Sequence, residues 1–206
     1  MDTVTRDFEG QVALVTGAGN GIGKETARQL AARGAIVGVN DLKAELVLPV
    51  VEAIRAAGGQ AFAVVQNIAS REGITAAVQL ARDQHGRFDI LVNNAAWVRY
   101  QALPDIQPET MDRMLDVGFK SVVWGMQAAS AVMDPERGGA IVNVMSITAK
   151  VTLPHNFALS GEVGQYWLGK ANTGFGSIVT ADVIAARSRS TAPAEARADS
   201  RSSWAI

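Results

Sequence analysis

Five short runs rich in valine and isoleucine recur along the chain, and longer helical patterns separate them. The runs are apolar throughout rather than alternating, which is typical of strands buried on both faces of a parallel sheet. They are VALVT at 12–16, AIVGVN at 35–40, AFAVVQ at 61–66, FDILVN at 88–93 and AIVNVM at 140–145. Strands that alternate with helices predict an α/β fold, a doubly wound parallel sheet in a single domain.

Two of the helical patterns have definite ends. The first comes after the first strand; Ile22, Thr26 or Ala27, and Leu30 are predicted to share its apolar face, and the helix is predicted to end at Gly34. The second is predicted as one long helix over 108–133, ended by PERGG.

The last twenty residues differ in composition from the rest of the chain. The stretch 187–206 is mostly Ala, Ser and Arg, with Trp204 and Ile206 as its only large apolar side chains. Such a segment cannot bury enough apolar surface to fold alone. The sequence therefore predicts a folded domain over 1–186 and a disordered tail over 187–206.

Charge and cysteine content exclude several classes of function. The 206 residues carry a formal net charge of −1 and no cysteine, so no basic surface for nucleic acid and no thiolate chemistry is predicted. His85 and His155 have no partners at metal-ligand spacing, so no metal is expected. The amino-terminal stretch is polar and no apolar run is long enough to span a bilayer, which predicts a cytoplasmic protein without membrane contact.

A glycine-rich turn, TGAGNGIG at 16–23, joins the first strand to the first helix. Glycine at 17, 21 and 23 lets the backbone turn tightly and lets a phosphate approach the helix amino terminus, where N–H groups and the helix dipole favour negative charge. The usual G-x-G-x-x-G pattern is not matched. Gly17, Gly19 and Gly21 also fit the G-x-G-x-G of methyltransferases, which leaves a nucleotide-cofactor methyltransferase as a rival interpretation.

Asp41 follows the second strand and bears on the identity of the cofactor. A carboxylate at this place can accept hydrogen bonds from both hydroxyls of an adenosine ribose, and it would repel a 2′-phosphate. Neither Arg nor Lys occurs at 40–42, and Asn20 stands where a phosphate-binding base could sit. The alternative is an aspartate that caps the next helix. The pattern favours NAD over NADP.

Taken in order, these motifs resemble the classical short-chain dehydrogenase/reductase family, from about Phe8 to about Val183. TGAGNGIG resembles its cofactor loop, NNAA at 93–96 its N-N-A-G motif, and NVMS at 143–146 the strand that ends in its catalytic serine. The resemblance implies a Rossmann-like fold. It also implies cofactor contacts from Gly17, Asn20, Gly21, Ile22, Gly23, Asp41, Asn67, Ile68, Asn94, Ala95, Tyr166 and Lys170.

The same resemblance implies a catalytic set of Ser146, Tyr166 and Lys170. Tyr166 would exchange a proton with the substrate oxygen, and Ser146 would hydrogen-bond that oxygen. Lys170, one helical turn after Tyr166, would supply the positive charge that favours tyrosinate and would hold the nicotinamide ribose.

Three features depart from the family's pattern. Ser146 and Tyr166 are 20 residues apart, a longer spacing than is common, and Gly118 stands where the family has a catalytic asparagine that anchors a water. The family's last two strands and the loop over the nicotinamide are not recognised, so the chain is expected to be truncated at its carboxyl end. The fifth strand would then be an exposed edge, which another copy of the chain or the loop after Ser146 is expected to cover.

The sequence thus predicts an NAD-dependent oxidoreductase of a small alcohol or ketone, acting as a homo-oligomer. The alternative is a catalytically impaired dinucleotide-binding module that acts by oligomerisation or by binding partners.

Overall fold

The computed structural model describes residues 5–99 and 103–145. Ser146, Tyr166, Lys170, the expected truncation and the tail over 187–206 all lie outside the described residues. Within the described ranges, every helix is too short or too polar to cross a membrane.

Strands and helices alternate along the described chain. The strands are β1 (Val12–Val15), β2 (Ile36–Asp41), β3 (Gln60–Val65), β4 (Ile90–Asn93) and β5 (Ala140–Asn143). The helices are α1 (Gly21–Ala32), α2 (Ala44–Ala56), α3 (Arg71–His85), α4 (Pro108–Leu115) and α5 (Ser121–Val132). A 3-10 turn (Leu103–Asp105) precedes α4, and a π-helical turn (Asp116–Lys120) joins α4 to α5.

The five described strands form one parallel sheet in the order β3-β2-β1-β4-β5. The sequence order reverses at β1: β2 and β3 lie on one side of it, β4 and β5 on the other. The predicted doubly wound parallel sheet is therefore confirmed. Ligands of such sheets bind beyond the carboxyl ends of the strands where the order reverses.

One apolar core lies on each face of the sheet. Residues of α1 and α2 pack on one face, with Leu30 and Val47 almost fully buried, while α3 packs on the other through Ile74 and Val78. Alternate residues of β1 point into opposite cores, which is why the strand is apolar throughout.

One expectation about the helices is wrong and another is confirmed. Ile22 is not part of the buried face of α1: its side chain is 64% exposed, and Gly23, Ala27, Leu30 and Ala31 form that face. The helical stretch predicted over 108–133 is confirmed, since α4, the π-helical turn that contains Gly118 and α5 follow one another without a break from Pro108 to Val132.

Candidate functional site

A cavity of about 430 Å³ opens at the carboxyl ends of β1, β2, β3 and β4. Its wall comes from the turn after β1, the ends of β2 and β3, the segment after β4, and α4 with the π-helical turn. The lining residues are Gly17, Asn20, Ile22, Asn40, Asp41, Leu42, Gln66, Asn67, Ile68, Asn94, Ala95, Ala96, Trp97, Arg113 and Val117. Most of the predicted cofactor contacts thus meet in one cavity; Gly21 and Gly23 are the described ones that do not line it.

The glycine turn packs tightly against the segment after β4. Gly17 has a φ of +63°, and a Cβ there would lie 2.9 Å from Ala95 Cα. A Cβ on Gly23 would lie 2.4 Å from both Asn94 Nδ2 and the Gly17 carbonyl oxygen. These two glycines are required for close approach of the backbone, whereas Gly21, with a φ of +53°, has nothing within 4 Å of its Cβ position. The space over Gly21 is therefore open.

The amino terminus of α1 follows this turn. Asn20 is the exposed N-cap residue and its side chain makes no capping hydrogen bond. Lys24 N–H donates to the Asn20 carbonyl at 3.0 Å, so the N–H groups of residues 21–23 precede the first helical hydrogen bond. An anion placed here would meet unpaired donors and the positive end of the helix dipole.

Thr16 and Asn94 join the turn to the end of β4. The buried Thr16 hydroxyl donates to the Val92 carbonyl at 3.3 Å and accepts the N–H groups of Asn94 at 3.0 Å and Ala95 at 3.1 Å. The Asn94 side-chain amide donates to the carbonyls of Thr16 at 2.9 Å and Gly17 at 3.2 Å. The side-chain amide of Asn94 therefore holds the glycine turn in place. The Thr16 hydroxyl also joins the turn to the end of β4, a role that the sequence analysis did not identify.

Asp41 ends β2 with both carboxylate oxygens hydrogen-bonded to backbone. Oδ2 accepts the Gly19 N–H at 3.1 Å and Oδ1 accepts the Leu42 N–H at 2.7 Å. The alternative that Asp41 caps α2 is wrong, since the N-cap of that helix is Lys43, which makes no side-chain cap. The half-buried carboxylate lines the cavity instead.

Asn67 and Ile68 form the wall beyond β3. Asn67 is exposed and its Oδ1 accepts the Ala69 N–H at 3.1 Å, while Ile68 is 7% exposed and packs in the core beside α3. The turn is fixed against α3, because a Cβ on Gly73 would lie 1.9 Å from the Asn67 carbonyl oxygen.

The opposite wall carries a cation stacked on an aromatic ring. Arg113 Cζ lies 4.4 Å from the centroid of the Trp97 ring. Arg113 has no ion-pair partner among the described residues, and it and Asp41 are the two charged residues of the lining. Periodicity did not identify Arg113 as part of the site, because only the tertiary fold brings the segment after β4, with Trp97, against α4.

The described residues end at 145, two residues after β5 and one residue before Ser146. Asn93 Nδ2 donates to Asn143 Oδ1 at 2.8 Å, which ties the carboxyl ends of β4 and β5 together three residues before Ser146. Gly118 lies in the π-helical turn next to the lining residue Val117, and a Cβ at Gly118 would meet nothing within 4 Å. Among the described residues there is no group of three or more His, Cys, Asp or Glu side chains that could hold a metal.

This arrangement fits a dinucleotide. An open phosphate cradle at a helix amino terminus lies next to a carboxylate at the end of the second strand, in a cavity at the point where the strand order reverses. The sequence profile of the short chain dehydrogenase family matches residues 11–161. The chain belongs to this family of oxidoreductases.

Individual relatives agree with that assignment. An oxidoreductase of Methylorubrum extorquens is 39% identical over 158 residues, which cover 76% of this chain and 63% of the relative. A 3-oxoacyl-acyl-carrier-protein reductase of Staphylococcus aureus is 38% identical over 143 residues, 69% of this chain and 58% of the relative. The chain therefore spans less than two thirds of the length of these relatives.

The fold is also that of solved family members. A short chain dehydrogenase from Burkholderia cenocepacia, solved in complex with NADP, matches with a TM-score of 0.73 and 32% identity over 79% of this chain and 70% of that one. A short-chain type dehydrogenase/reductase from Mycobacterium marinum matches with a TM-score of 0.70 and 28% identity over 75% of this chain and 63% of that one.

Proposed function

We propose that the protein is an NAD-dependent oxidoreductase that transfers hydride between nicotinamide and a small alcohol or ketone. Family membership supports the reaction class, and the site supports the choice of nucleotide. The observation that carries the proposal is the Asp41 carboxylate, held at the cavity wall by two backbone N–H groups.

Asp41 would select the nucleotide at its adenosine ribose. Each carboxylate oxygen accepts one backbone N–H and has lone pairs left to accept from a ribose hydroxyl. A 2′-phosphate would bring a second negative charge against this carboxylate, and Leu42 and Asn20 supply no compensating cation. Arg113, the one cation of the described lining, is stacked on Trp97 at the wall formed by α4.

The remaining roles fall to residues in the second half of the chain. A bound nicotinamide supplies the hydride donor or acceptor. Tyr166 would exchange the proton with the substrate oxygen, Lys170 would favour the tyrosinate, and Ser146 would hydrogen-bond the substrate oxygen. The tie between Asn93 and Asn143 supports this set, because it holds the strand that leads to Ser146 at the cavity edge of the sheet.

The test is a fluorescence titration of the full chain with NADH and with NADPH, followed by a turnover screen with alcohols and ketones. NADH is expected to bind about tenfold more tightly or better. Equal affinities, or tighter binding of NADPH, would overturn the choice of nucleotide. Binding of NADH with no turnover of any substrate would instead select the catalytically impaired binding module.

A further inference from the structure

The contact between Gly19 and Asp41 is not explained by the glycine pattern of the family. Gly19 lies between Gly17 and Gly21, and its N–H donates to Asp41 Oδ2 at 3.1 Å. The neighbouring Ala18 N–H donates to the Asn40 carbonyl at 2.7 Å. The turn after β1 is thus held against the end of β2 by two consecutive backbone N–H groups, one of which bonds to the carboxylate itself.

Gly19 is required for space and not for its backbone conformation. The φ of Gly19 is not positive, unlike those of Gly17 and Gly21. A Cβ on Gly19 would lie 2.7 Å from Asp41 Oδ2, 3.1 Å from Asp41 Cγ and 2.7 Å from Leu46 Cβ. Leu46 is part of α2, so its Cβ is fixed by the helix backbone. Because the Leu46 Cβ cannot yield, an added methyl group would push residue 19 away from α2 and displace the rotatable Asp41 carboxylate, so the contact between the residue 19 N–H and the carboxylate would be lost.

We propose that Gly19 is a positioning residue for nucleotide selection: its N–H and its missing side chain together fix the Asp41 carboxylate in the cavity wall. The carboxylate is then oriented before any ligand binds, so no free energy is spent on ordering it. The expected consequence, a preference for NAD, rests on the proposed function. The contact between the Gly19 N–H and the Asp41 carboxylate exists without nucleotide.

The first test measures the ratio of NADPH to NADH dissociation constants for the parent and for Gly19→Ala. The ratio is expected to fall by about threefold or more, because the displaced carboxylate no longer discriminates at the ribose. Gly58→Ala is the control: it is the same chemical change at a glycine between α2 and β3, outside the cavity lining, where the Cβ meets nothing within 4 Å but the φ of +83° strains any side chain. It shows whether a loss of stability alone alters the ratio. Its ratio is expected to equal that of the parent.

A double-mutant cycle separates positioning from general damage to the turn. If Gly19 acts through the carboxylate, Gly19→Ala has no further effect on the ratio in an Asp41→Ala background. The same fall in both backgrounds, or an unchanged ratio in a folded Gly19→Ala variant, overturns the inference.

Hydrogen exchange in the nucleotide-free protein gives a readout that does not depend on Gly19→Ala folding. The Gly19 amide is expected to exchange slowly in the parent and markedly faster in Asp41→Ala, while the Ala18 amide, bonded to a backbone carbonyl, stays slow. Equal Gly19 exchange in both proteins overturns the inference. A parent that shows this exchange pattern but binds neither nucleotide, or prefers NADPH, refutes the proposed function and leaves the contact established.

Discussion

At the scale of single residues, the site depends on close packing around Gly23. Its Cα lies where a side chain would meet both the Asn94 amide and the Gly17 carbonyl at 2.4 Å, and those two groups are hydrogen-bonded to each other at 3.2 Å. Gly23→Ala would therefore break that hydrogen bond and overpack the turn. We expect a loss of about 1–3 kcal/mol in the free energy of unfolding, measured by urea denaturation.

The control for this loss is Gly118→Ala, where no heavy atom lies within 4 Å of the added methyl group. It should be neutral or slightly stabilising, since alanine favours helix more than glycine does. A Gly23→Ala variant as stable as the parent would mean that the turn relaxes without cost and that its packing is not specific.

Tyr166 carries the proposed proton transfer, and Tyr166→Phe removes only its hydroxyl. Turnover should fall by about 10²- to 10⁴-fold, the usual contribution of general acid–base catalysis, while the NADH dissociation constant stays almost unchanged. Lys170→Ala is expected to weaken both turnover and nucleotide binding, because the ammonium would serve both. Steady-state kinetics and fluorescence titration measure the two effects. A Tyr166→Phe variant as active as the parent would remove Tyr166 from the mechanism.

At the scale of secondary-structure elements, the sequence predicts every end of the five strands to within two residues. Continuous Val/Ile runs that are separated by helices fit few structures other than buried parallel strands. Asp41 ends β2, the position from which a carboxylate can reach an adenosine ribose. The π-helical turn is not predictable in this way, because α4 and α5 share one uninterrupted apolar pattern across it. The hydroxyl of Ser121, the first residue of α5, donates to the Val117 carbonyl in the turn at 2.6 Å, a local bond that no periodicity reveals.

The exposed Ile22 shows a second limit of periodicity. Helical spacing places Ile22 on the same face as Ala27 and Leu30, yet it lies in the first turn of α1 and is exposed. Its apolar side chain lines the cavity instead, so the helical pattern identified the residue but not its surroundings. Only the family resemblance gave it a role.

The π-helical turn also gives a prediction about Gly118. Gly118→Asn should be tolerated, since a side chain there has open space, and it would place a polar group one residue from the cavity wall at Val117. If a missing water anchor limits the reaction, turnover by Gly118→Asn should exceed that of the parent, measured with the substrate found in the screen. Gly118→Ala removes the helix-interior glycine without adding the polar group and separates the two effects. An asparagine variant that folds and turns over no faster would show that no anchor is missing.

At the scale of the whole molecule, the site exists only because the sheet places distant segments side by side. Thr16 and Asn94, 78 residues apart, meet because the chain crosses over from β3 to place β4 against β1. The sequence predicts that these two motifs lie at the same edge of the sheet, since both follow strands. It cannot predict that the Asn94 side-chain amide donates its hydrogen bonds to the glycine turn, because those bonds depend on atomic distances between segments that the fold brings together.

The outer edge of β5 gives the last prediction. Ala140 and Val144 donate their N–H groups to Asp89 and Asn93 at 2.8 and 2.9 Å, so by alternation the N–H groups of Ile141 and Asn143 point to the other side. Among the described residues, nothing pairs with that side. An apolar parallel strand with open donors is expected to be covered, and we expect a second copy of the chain to cover it.

Sedimentation combined with hydrogen exchange tests this expectation. The chain should sediment as a dimer or larger, and the Ile141 and Asn143 amides should exchange more slowly as protein concentration rises. Val142, whose N–H faces β4 by the same alternation, is the internal control and should stay protected at every concentration. A stable monomer in which Ile141 and Asn143 are already protected would show that another part of the same chain covers the edge. A monomer in which both exchange rapidly would show that the edge stays open.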